Sequence, residues 1–255
     1  MEAIKTVDFT KKYKTRTAVD GLNLSVHPGE LFALLGVNGA GKTTTIKMLC
    51  GLARPTSGDA FLAGHSVVSE TAAVKRVIGV SPQETAVAPG LTALENLRLM
   101  AGVHGFSKEK QNERIDELAA AFDLGGVLGK RAGRLSGGWQ RRLSLAMALI
   151  GEPEILFLDE PTSFLDYRQQ VEMMALVESI NRDGMTVLMV THDINLALHG
   201  SGEVLAIKDG RACWHGATDE LLGGSVLADI FDTGFEFLCR EGQRRPYAVP
   251  RGFVF

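Results

Sequence analysis

The residues GVNGAGKTT, numbered 36 to 44, place three glycines, one lysine and two adjacent hydroxyls within one short segment. Closely spaced glycines allow main-chain N–H groups to converge on an anion, and the N-terminus of a following helix adds further donors. The segment has the G-x-x-x-x-G-K-[ST] spacing of a phosphate-binding loop. It also follows the apolar run Leu31–Leu35 and precedes a helical pattern, which is the context that such a loop requires. We therefore predict a nucleoside triphosphate site with these contributing residues: Gly36, Asn38, Gly39, Ala40, Gly41, Lys42, Thr43 and Thr44.

Lys42 and Thr43 carry distinct chemistry within this loop. The lysine ammonium can reach the outer phosphates as a point charge, and the threonine hydroxyl can ligate Mg²⁺. The loop alone predicts binding of a nucleotide with its magnesium ion, and the rest of the chain must indicate what the bound nucleotide is used for.

A pair of carboxylates, Asp159 and Glu160, ends the apolar run Ile155–Leu158. Beside a phosphate-binding loop, Asp159 is expected to hold Mg²⁺ and Glu160 to orient or deprotonate a water molecule at the γ-phosphate. Adjacent acids at the end of a strand also occur simply as solvated residues. The presence of the loop is what favours the catalytic interpretation.

A second candidate anion site lies at Ser136, Gly137 and Gly138, just before an apolar helical run that reaches Ile150. A serine and two small residues at a helix N-terminus can receive phosphate oxygens. The same three residues, taken alone, are also typical of an ordinary helix N-cap. Both interpretations stay open on these residues alone.

The elements that position these motifs change in character along the chain. Strand-like runs dominate up to about residue 82, helical spacing of apolar residues follows to residue 150, and strands then alternate with helical sequence. This alternation predicts an α/β fold with a parallel sheet, crossover helices and a helical insertion. Turns are expected at Thr56-Ser57-Gly58 and at Asp209-Gly210, where the second predicts a hairpin.

Composition excludes several classes of protein. With 255 residues, 45% of them hydrophobic, the chain can bury a large core, and its formal net charge of −3 gives no reason to expect binding to nucleic acid. Its three cysteines lack C-x-x-C spacing, which fits a reducing compartment. Its apolar runs are far shorter than the roughly 18–20 residues of a membrane span, so another chain is expected to cross any membrane involved.

Taken in order, the phosphate-binding loop, LSGGWQ at 135–140 and ILFLDE at 155–160 resemble the ATP-binding cassette proteins. The resemblance covers residues 4–222. It implies a P-loop NTPase core with a mostly parallel sheet, an N-terminal antiparallel β subdomain and an inserted α-helical subdomain. It also implies one ATPase domain over residues 1–222, with the helical subdomain at about 88–150, and a C-terminal extension of unknown role at 223–255.

The resemblance assigns roles to four further residues. Tyr13 stands where the family has an aromatic ring stacked on adenine, and Gln83 where it has a glutamine that links Mg²⁺ and the attacking water to the transport interface. His192 is similar to the family histidine that contacts the γ-phosphate and orients the acidic base. Asp166 resembles the loop that couples the two halves of a dimer.

The resemblance also implies partners. In this family, Ser136, Gly137 and Gly138 of one subunit would close on the ATP held by a second subunit, in a homodimer or heterodimer. A separate transmembrane permease would receive the motion, and the chain would lie in the cytoplasm on the inner face of the membrane. The cofactors implied are ATP and Mg²⁺, and no nucleic acid partner is expected.

The helical zone and the residues after LSGGWQ are similar to cassettes that serve drug, lipid and polysaccharide exporters more than to importer cassettes. An importer cassette and a soluble cassette ATPase acting on ribosomes or DNA are the alternatives. A P-loop kinase or GTPase is disfavoured by Ser136-Gly137-Gly138 and by the lack of an N-K-x-D sequence.

Two residues depart from the family pattern. Trp139 follows SGG where a polar residue or methionine is common, and Phe164 replaces a small residue before Leu165-Asp166. Both enlarge side chains near the expected dimer contact, which would suit an unequal partner as readily as a second copy. The final stretch, 237–255, has no motif and is expected to be a loosely packed tail.

Overall fold

The computed structural model describes residues 2–222, 225–239 and 245–252. In this part of the chain the strands form a six-stranded sheet, a four-stranded sheet and a two-stranded hairpin. Among the described residues, none of the helices combines the length and the apolar character that a membrane span requires.

The six-stranded sheet has the order β10-β9-β3-β8-β7-β6. Neighbouring strands are parallel except β9 and β10, which form an antiparallel hairpin. The three central strands are buried at nearly every position, as expected for a parallel sheet covered on both faces. The strands are β3 (Leu31–Leu35), β6 (Ile78–Ser81), β7 (Ile155–Asp159), β8 (Thr186–Thr191), β9 (Glu203–Lys208) and β10 (Arg211–Ala217).

The four-stranded sheet is antiparallel and has the order β2-β1-β4-β5. Its buried residues share one apolar cluster with helix α1 (Lys42–Leu49) and the core strands, and this cluster contains Phe9, Phe32 and Phe157. The strands are β1 (Ile4–Tyr13), β2 (Arg16–Val26), β4 (Ser57–Leu62) and β5 (His65–Ser66).

Helices cover the sheets and occupy the segment between β6 and β7. Three of those described follow one another there, α3, α4 and α5, and their apolar residues join the larger core cluster. Thr92 and Glu95 form a capping box at the start of α3, which satisfies otherwise free N–H groups. The helices are α1 (Lys42–Leu49), α2 (Thr71–Val77), α3 (Ala93–Val103), α4 (Lys108–Ala121), α5 (Gly137–Leu149), α6 (Tyr167–Arg182), α7 (Ile194–Gly200) and α8 (Val226–Phe231).

This architecture confirms the predicted fold class: a mostly parallel sheet, an antiparallel N-terminal sheet and a run of inserted helices. Asp209 and Gly210 both have positive φ and join β9 to β10, as expected for the hairpin turn. The predicted turn at 56–58 is wrong in part, because Ser57 and Gly58 already belong to β4. Gly58 adopts φ +74° beside an irregularity in the β1–β4 pairing, so its glycine serves a bulge. The domain boundaries stay predictions.

The expectation of a loosely packed tail is wrong for the described part of the C-terminus. Strand β11 (Phe235–Leu238) pairs antiparallel with β12 (Tyr247–Pro250), and β12 packs on α7. The apolar residues Phe235, Phe237 and Ala248 join the larger core cluster. The remainder of the tail, including Arg240 and Arg244, lies outside the described residues.

Candidate active site

The loop between β3 and α1 forms the floor of a cleft of about 270 Å³. Gly39 and Gly41 have φ values of +82° and +113°, a region that side-chain-bearing residues rarely adopt. A Cβ on Gly41 would also collide with the carbonyl oxygen of Ala18. The backbone can therefore approach a bound anion only because these positions are glycine. The cleft is lined by Tyr13, Arg16, Ala18, Asn38, Gly39, Gly41, Lys42, Thr43, Thr44, Gln83 and Glu160.

Lys42 is buried at the start of α1, with its ammonium group turned back to the loop. Its Nζ donates to the carbonyl oxygens of Gly36 at 2.7 Å and Val37 at 3.1 Å, and lies 4.0 Å from Glu160 Oε1. Burial lowers the pKa of Lys42, while the charges of Glu160 and Asp159 oppose this shift. The carbonyls hold the cation where phosphate oxygens can replace them as acceptors.

Glu160 lies one residue beyond β7 and is 7% exposed. Its φ of +48° is uncommon for a residue with a side chain, and strain of this kind is concentrated at functional sites. His192 Nδ1 is 2.8 Å from Glu160 Oε1. The structure thus brings together the predicted base and the histidine expected to orient it, although they are 32 residues apart in the chain.

Asp159 is the last residue of β7 and is 5% exposed. Its Oδ1 has no hydrogen-bond partner among the described residues. Burial raises the pKa of Asp159, and the neighbouring charge of Glu160 raises it further. A buried carboxylate oxygen without a partner fits a cation that takes oxygen ligands, as Mg²⁺ does. Asp159, Thr43 and Gln83 are the residues that would hold the ion.

Two residues of the predicted loop lie away from the cleft lining. Gly36 packs against the backbone of Ile207 in β9, where a Cβ would collide with the Ile207 carbonyl oxygen. Ala40 is 3% exposed, and its carbonyl oxygen accepts a hydrogen bond from Gly210 N at 2.9 Å. Both residues therefore fix the shape of the loop from behind.

Ser136, Gly137 and Gly138 lie outside this cleft. Ser136 is the N-cap residue of α5, yet its side chain makes no capping hydrogen bond with the described residues. Ser136 and Gly138 line a separate depression. A Cβ on Gly137 would meet only the Phe164 carbonyl oxygen, at 3.8 Å, so this edge is open to an approaching group. In the described chain the two candidate anion sites thus lie in separate depressions.

The two residues that depart from the family pattern differ in their exposure. Trp139 is half-buried, packs against the larger core cluster and has the Arg142 guanidinium 5.3 Å from its ring centre. Much of its bulk therefore lies against its own chain. Phe164 is 86% exposed at φ +65°, beside Asp166, whose carboxylate caps α6 through Gln169 N at 2.8 Å.

Sequence analysis missed Arg16 as a residue of the cleft. Its guanidinium donates from Nη2 to the Gly39 carbonyl oxygen at 2.9 Å, and Arg16 lines the same cleft as Lys42. Arg16 follows Tyr13 across a tight hairpin turn, so its position in the same short basic segment was the available signal. It adds a second positive charge where a nucleotide phosphate would lie.

Arg141 is the second residue that sequence analysis missed. It lies in α5 and is 3% exposed, and its guanidinium donates to the carbonyl oxygens of Pro82, Gln83, Asp159, Glu160 and Pro161. Burial lowers the pKa of Arg141 to about 10, so the group stays charged at neutral pH. One side chain thereby joins the helix that follows Ser136 to the segments that carry Gln83 and Glu160.

Replacing Arg141 with methionine is expected to lower the free energy of unfolding by about 3–5 kcal/mol, because several buried carbonyl oxygens lose their donor. Hydrolysis of nucleotide should fall more than nucleotide affinity does, since Glu160 is displaced while the loop at 36–44 stays intact. Denaturant titration and steady-state kinetics measure the two effects. Arg168→Met is the matched control, because the Arg168 side chain is 89% exposed and pairs only with Glu172 among the described residues. Equal stability of the two variants would contradict the prediction.

A phosphate-binding loop after one strand of a parallel sheet, with paired acids at the end of the strand next but one, defines a P-loop NTPase. Residues 19–163 match the ABC transporter family. The daunorubicin/doxorubicin resistance ATP-binding protein DrrA of Streptomyces peucetius is 41% identical over 228 residues, which are 88% of this chain and 69% of the relative. The chain therefore belongs to the ABC transporter family, as its motifs predicted.

Other relatives and solved structures agree. Nod factor export ATP-binding protein I of Burkholderia pseudomallei (strain K96243) is 36% identical over 233 residues, covering 90% of this chain and 77% of the relative. The dimeric structure of a post-hydrolysis state of the cassette MJ0796, bound to ADP and Pi, has a TM-score of 0.77 at 30% identity, covering 84% of this chain and 98% of that chain. The chain is an ATP-binding ATPase of this family.

Proposed function

We propose that this chain is the ATP-hydrolysing subunit of a membrane exporter and that ATP drives the closure of two such subunits. The observation that carries the proposal is the separation of the two anion sites. The cleft at Lys42 and the open edge at Ser136–Gly138 each offer part of a set of phosphate ligands. A second subunit that brings its Ser136 edge to the first subunit's cleft would complete the site.

Binding of ATP follows from the charges that line the cleft. The triphosphate oxygens accept hydrogen bonds from the loop N–H groups and from the ammonium of Lys42. On binding, this ammonium exchanges its carbonyl acceptors for phosphate oxygens. Tyr13 is half-exposed at the rim, where its ring can stack on the adenine. Bound Mg²⁺ would neutralise phosphate charge, and Asp159, Thr43 and Gln83 would hold it.

Hydrolysis requires a base beside the γ-phosphate. Glu160 accepts a proton from the attacking water as the water oxygen bonds to the γ-phosphorus and the bond from phosphorus to the β–γ bridging oxygen breaks, releasing ADP and phosphate. His192 holds one carboxylate oxygen of Glu160 at 2.8 Å and so fixes the direction of the other. Loss of the γ-phosphate removes ligands shared by both subunits, which favours reopening.

Export is favoured over import by the names of the relatives. Those relatives are drug-resistance and Nod factor export ATP-binding proteins, at 41% and 36% identity. We propose a separate transmembrane permease as the partner, with this chain held on the cytoplasmic face of the membrane through it. The domain over 1–222, its helical part at about 88–150 and the contact of that part with the permease belong to the same proposal.

Affinity purification of the tagged full-length chain from detergent-solubilised membranes tests the proposed partner. We expect a polytopic membrane protein in a fixed ratio to the chain, and faster ATP hydrolysis in the reconstituted complex than in the chain alone. A Glu160→Gln variant, used to hold ATP bound, should retain the same partner. Recovery of ribosomal proteins or DNA, with no membrane protein, would instead favour a soluble cassette ATPase.

A further inference from the structure

Residues 245–248, in the segment after the ATPase core, contact α7 along its length. At the beginning of this helix, the Asn195 side chain forms two hydrogen bonds with the main chain of Ala248 in β12: Nδ2 donates to the carbonyl oxygen at 3.0 Å and Oδ1 accepts from the N–H at 2.8 Å. This paired geometry is that of a β-ladder, with one side chain in place of a strand. The two hydrogen bonds fix both the distance and the orientation of the Asn195 side chain relative to β12.

The other end of α7 is held by Arg245. Its guanidinium donates to the carbonyl oxygens of Leu198 and Ser201, which end the helix, and to Asp219 Oδ1 at 2.6 Å. The ring of Tyr247 lies 4.5 Å from that of His199 on the outer face of the same helix. Residues 245–248 therefore contact α7 from its beginning to its end.

Helix α7 follows directly from the catalytic histidine segment. Asp193, next to His192, is its N-cap and accepts from Asn195 N at 2.8 Å and Leu196 N at 3.1 Å. A helix of seven residues is too short to be stable by itself, so its position depends on tertiary contacts. The contacts with β12 are thus among those that fix where His192 stands.

Strand β12 is not closely packed against the ATP-binding loop. A depression of about 420 Å³ lies between them, lined by Val37, His192, Ile194, Phe235 and Pro250 among others. At the edge of this open space, the Asn195–Ala248 pair joins β12 directly to the first turn of α7 by hydrogen bonds. A movement of β12 would reach His192 through Asn195.

We propose that Asn195 is a positioning residue for His192, and that the C-terminal strand β12 thereby belongs to the hydrolytic machinery. The inference rests on the proposed function, in which His192 holds Glu160. It gives the extension after residue 222 a role: it keeps the histidine at hydrogen-bond distance from the base. Loss of the Asn195–Ala248 pair should slow the chemical step and leave ATP binding almost unchanged.

The test is a double-mutant cycle in the full-length protein. Asn195→Ala is expected to lower kcat about 3- to 10-fold, as the loss of two neutral hydrogen bonds permits, with little change in the Kd for ATP. In a His192→Ala background the same change should cost little or nothing further, because the residue that it positions is gone. Glu236→Gln is the control, since Glu236 faces Arg251 within the hairpin and both side chains are exposed.

The possible results distinguish the role of His192 from the role of Asn195. If His192→Ala leaves kcat unchanged, the proposed role of His192 fails. If His192→Ala lowers kcat but Asn195→Ala does not, only the role of Asn195 is overturned. A loss of kcat on Asn195→Ala that is equally large in both backgrounds, or that matches a loss of ATP affinity, would show a general structural role. Asn195→Asp, which keeps the acceptor for Ala248 N, should lie between the parent and Asn195→Ala.

Discussion

Glu160→Gln is expected to reduce ATP hydrolysis by about 100- to 10,000-fold, the range attributed to a positioned general base. The amide has the shape of the carboxylate but cannot accept the proton of the attacking water. ATP binding should persist, because the loop at 36–44 and Lys42 are unchanged. Release of phosphate under steady-state conditions measures the first effect, and equilibrium titration with ATP measures the second.

A consequence of this arrest is the accumulation of closed dimers in the presence of ATP, visible as a shift in molecular mass by light scattering. Glu152→Gln is the matched control, since Glu152 pairs with Lys110 on the surface, away from the cleft. Turnover at the parent rate in Glu160→Gln would remove Glu160 from the role of base. Loss of both binding and turnover would instead point to the electrostatic balance between Glu160 and Lys42.

The predicted site residues that the structure brings together are local in sequence or adjoin a recognisable strand. The loop at 36–44 lies between a buried strand and a helix, so its geometry follows from its own spacing. Asp159 and Glu160 end a strand that lies next but one to β3 in the sheet, so both motifs emerge at the same edge. Parallel strands bring such ends together whatever their distance in the sequence.

The parts that were missed depend on contacts between distant segments. In the sequence, Arg141 is one of two neighbouring arginines in a predicted helix. The fold shows that Arg141 points inward and donates to five carbonyl oxygens. Arg142 instead pairs with Glu172 near the surface. Helical spacing could not decide between the two, because the residues around α5 are apolar on several faces.

The C-terminal strand was missed for a related reason. Asn195 and Ala248 are 53 residues apart, and nothing in the composition of either segment indicates that they pair. The segment rich in arginine and proline suggested exposure, but Arg245 uses its charge to bind helix-end carbonyls and Asp219. Strand β12 pairs with one other strand, β11, and with one asparagine side chain. So short a strand has too little periodicity to be recognised from sequence.

Mixing two inactive variants is expected to distinguish a shared active site from a self-contained one. Lys42→Ala removes the phosphate-binding cation and should weaken ATP binding by about 10- to 100-fold. Ser136→Arg places a large side chain at the open edge before α5 and should abolish hydrolysis while ATP binding persists, because Ser136 does not line the cleft in the described chain. A mixed dimer of the two can form one complete site, from the intact cleft of one subunit and the intact Ser136 edge of the other.

If the two sites of a dimer fire independently, mixing restores part of the hydrolysis, measured as phosphate release after subunit exchange in the presence of the membrane partner. If they must fire together, mixing fails but an excess of Ser136→Arg subunits inhibits the parent protein. Ser69→Arg, a change at an exposed serine in the turn after β5, should neither inactivate nor inhibit. Crosslinking shows whether subunits have exchanged. Exchange with neither rescue nor inhibition would mean that each chain completes its own site, and Ser136-Gly137-Gly138 would then be an ordinary helix N-terminus, one of the two interpretations that its residues allow.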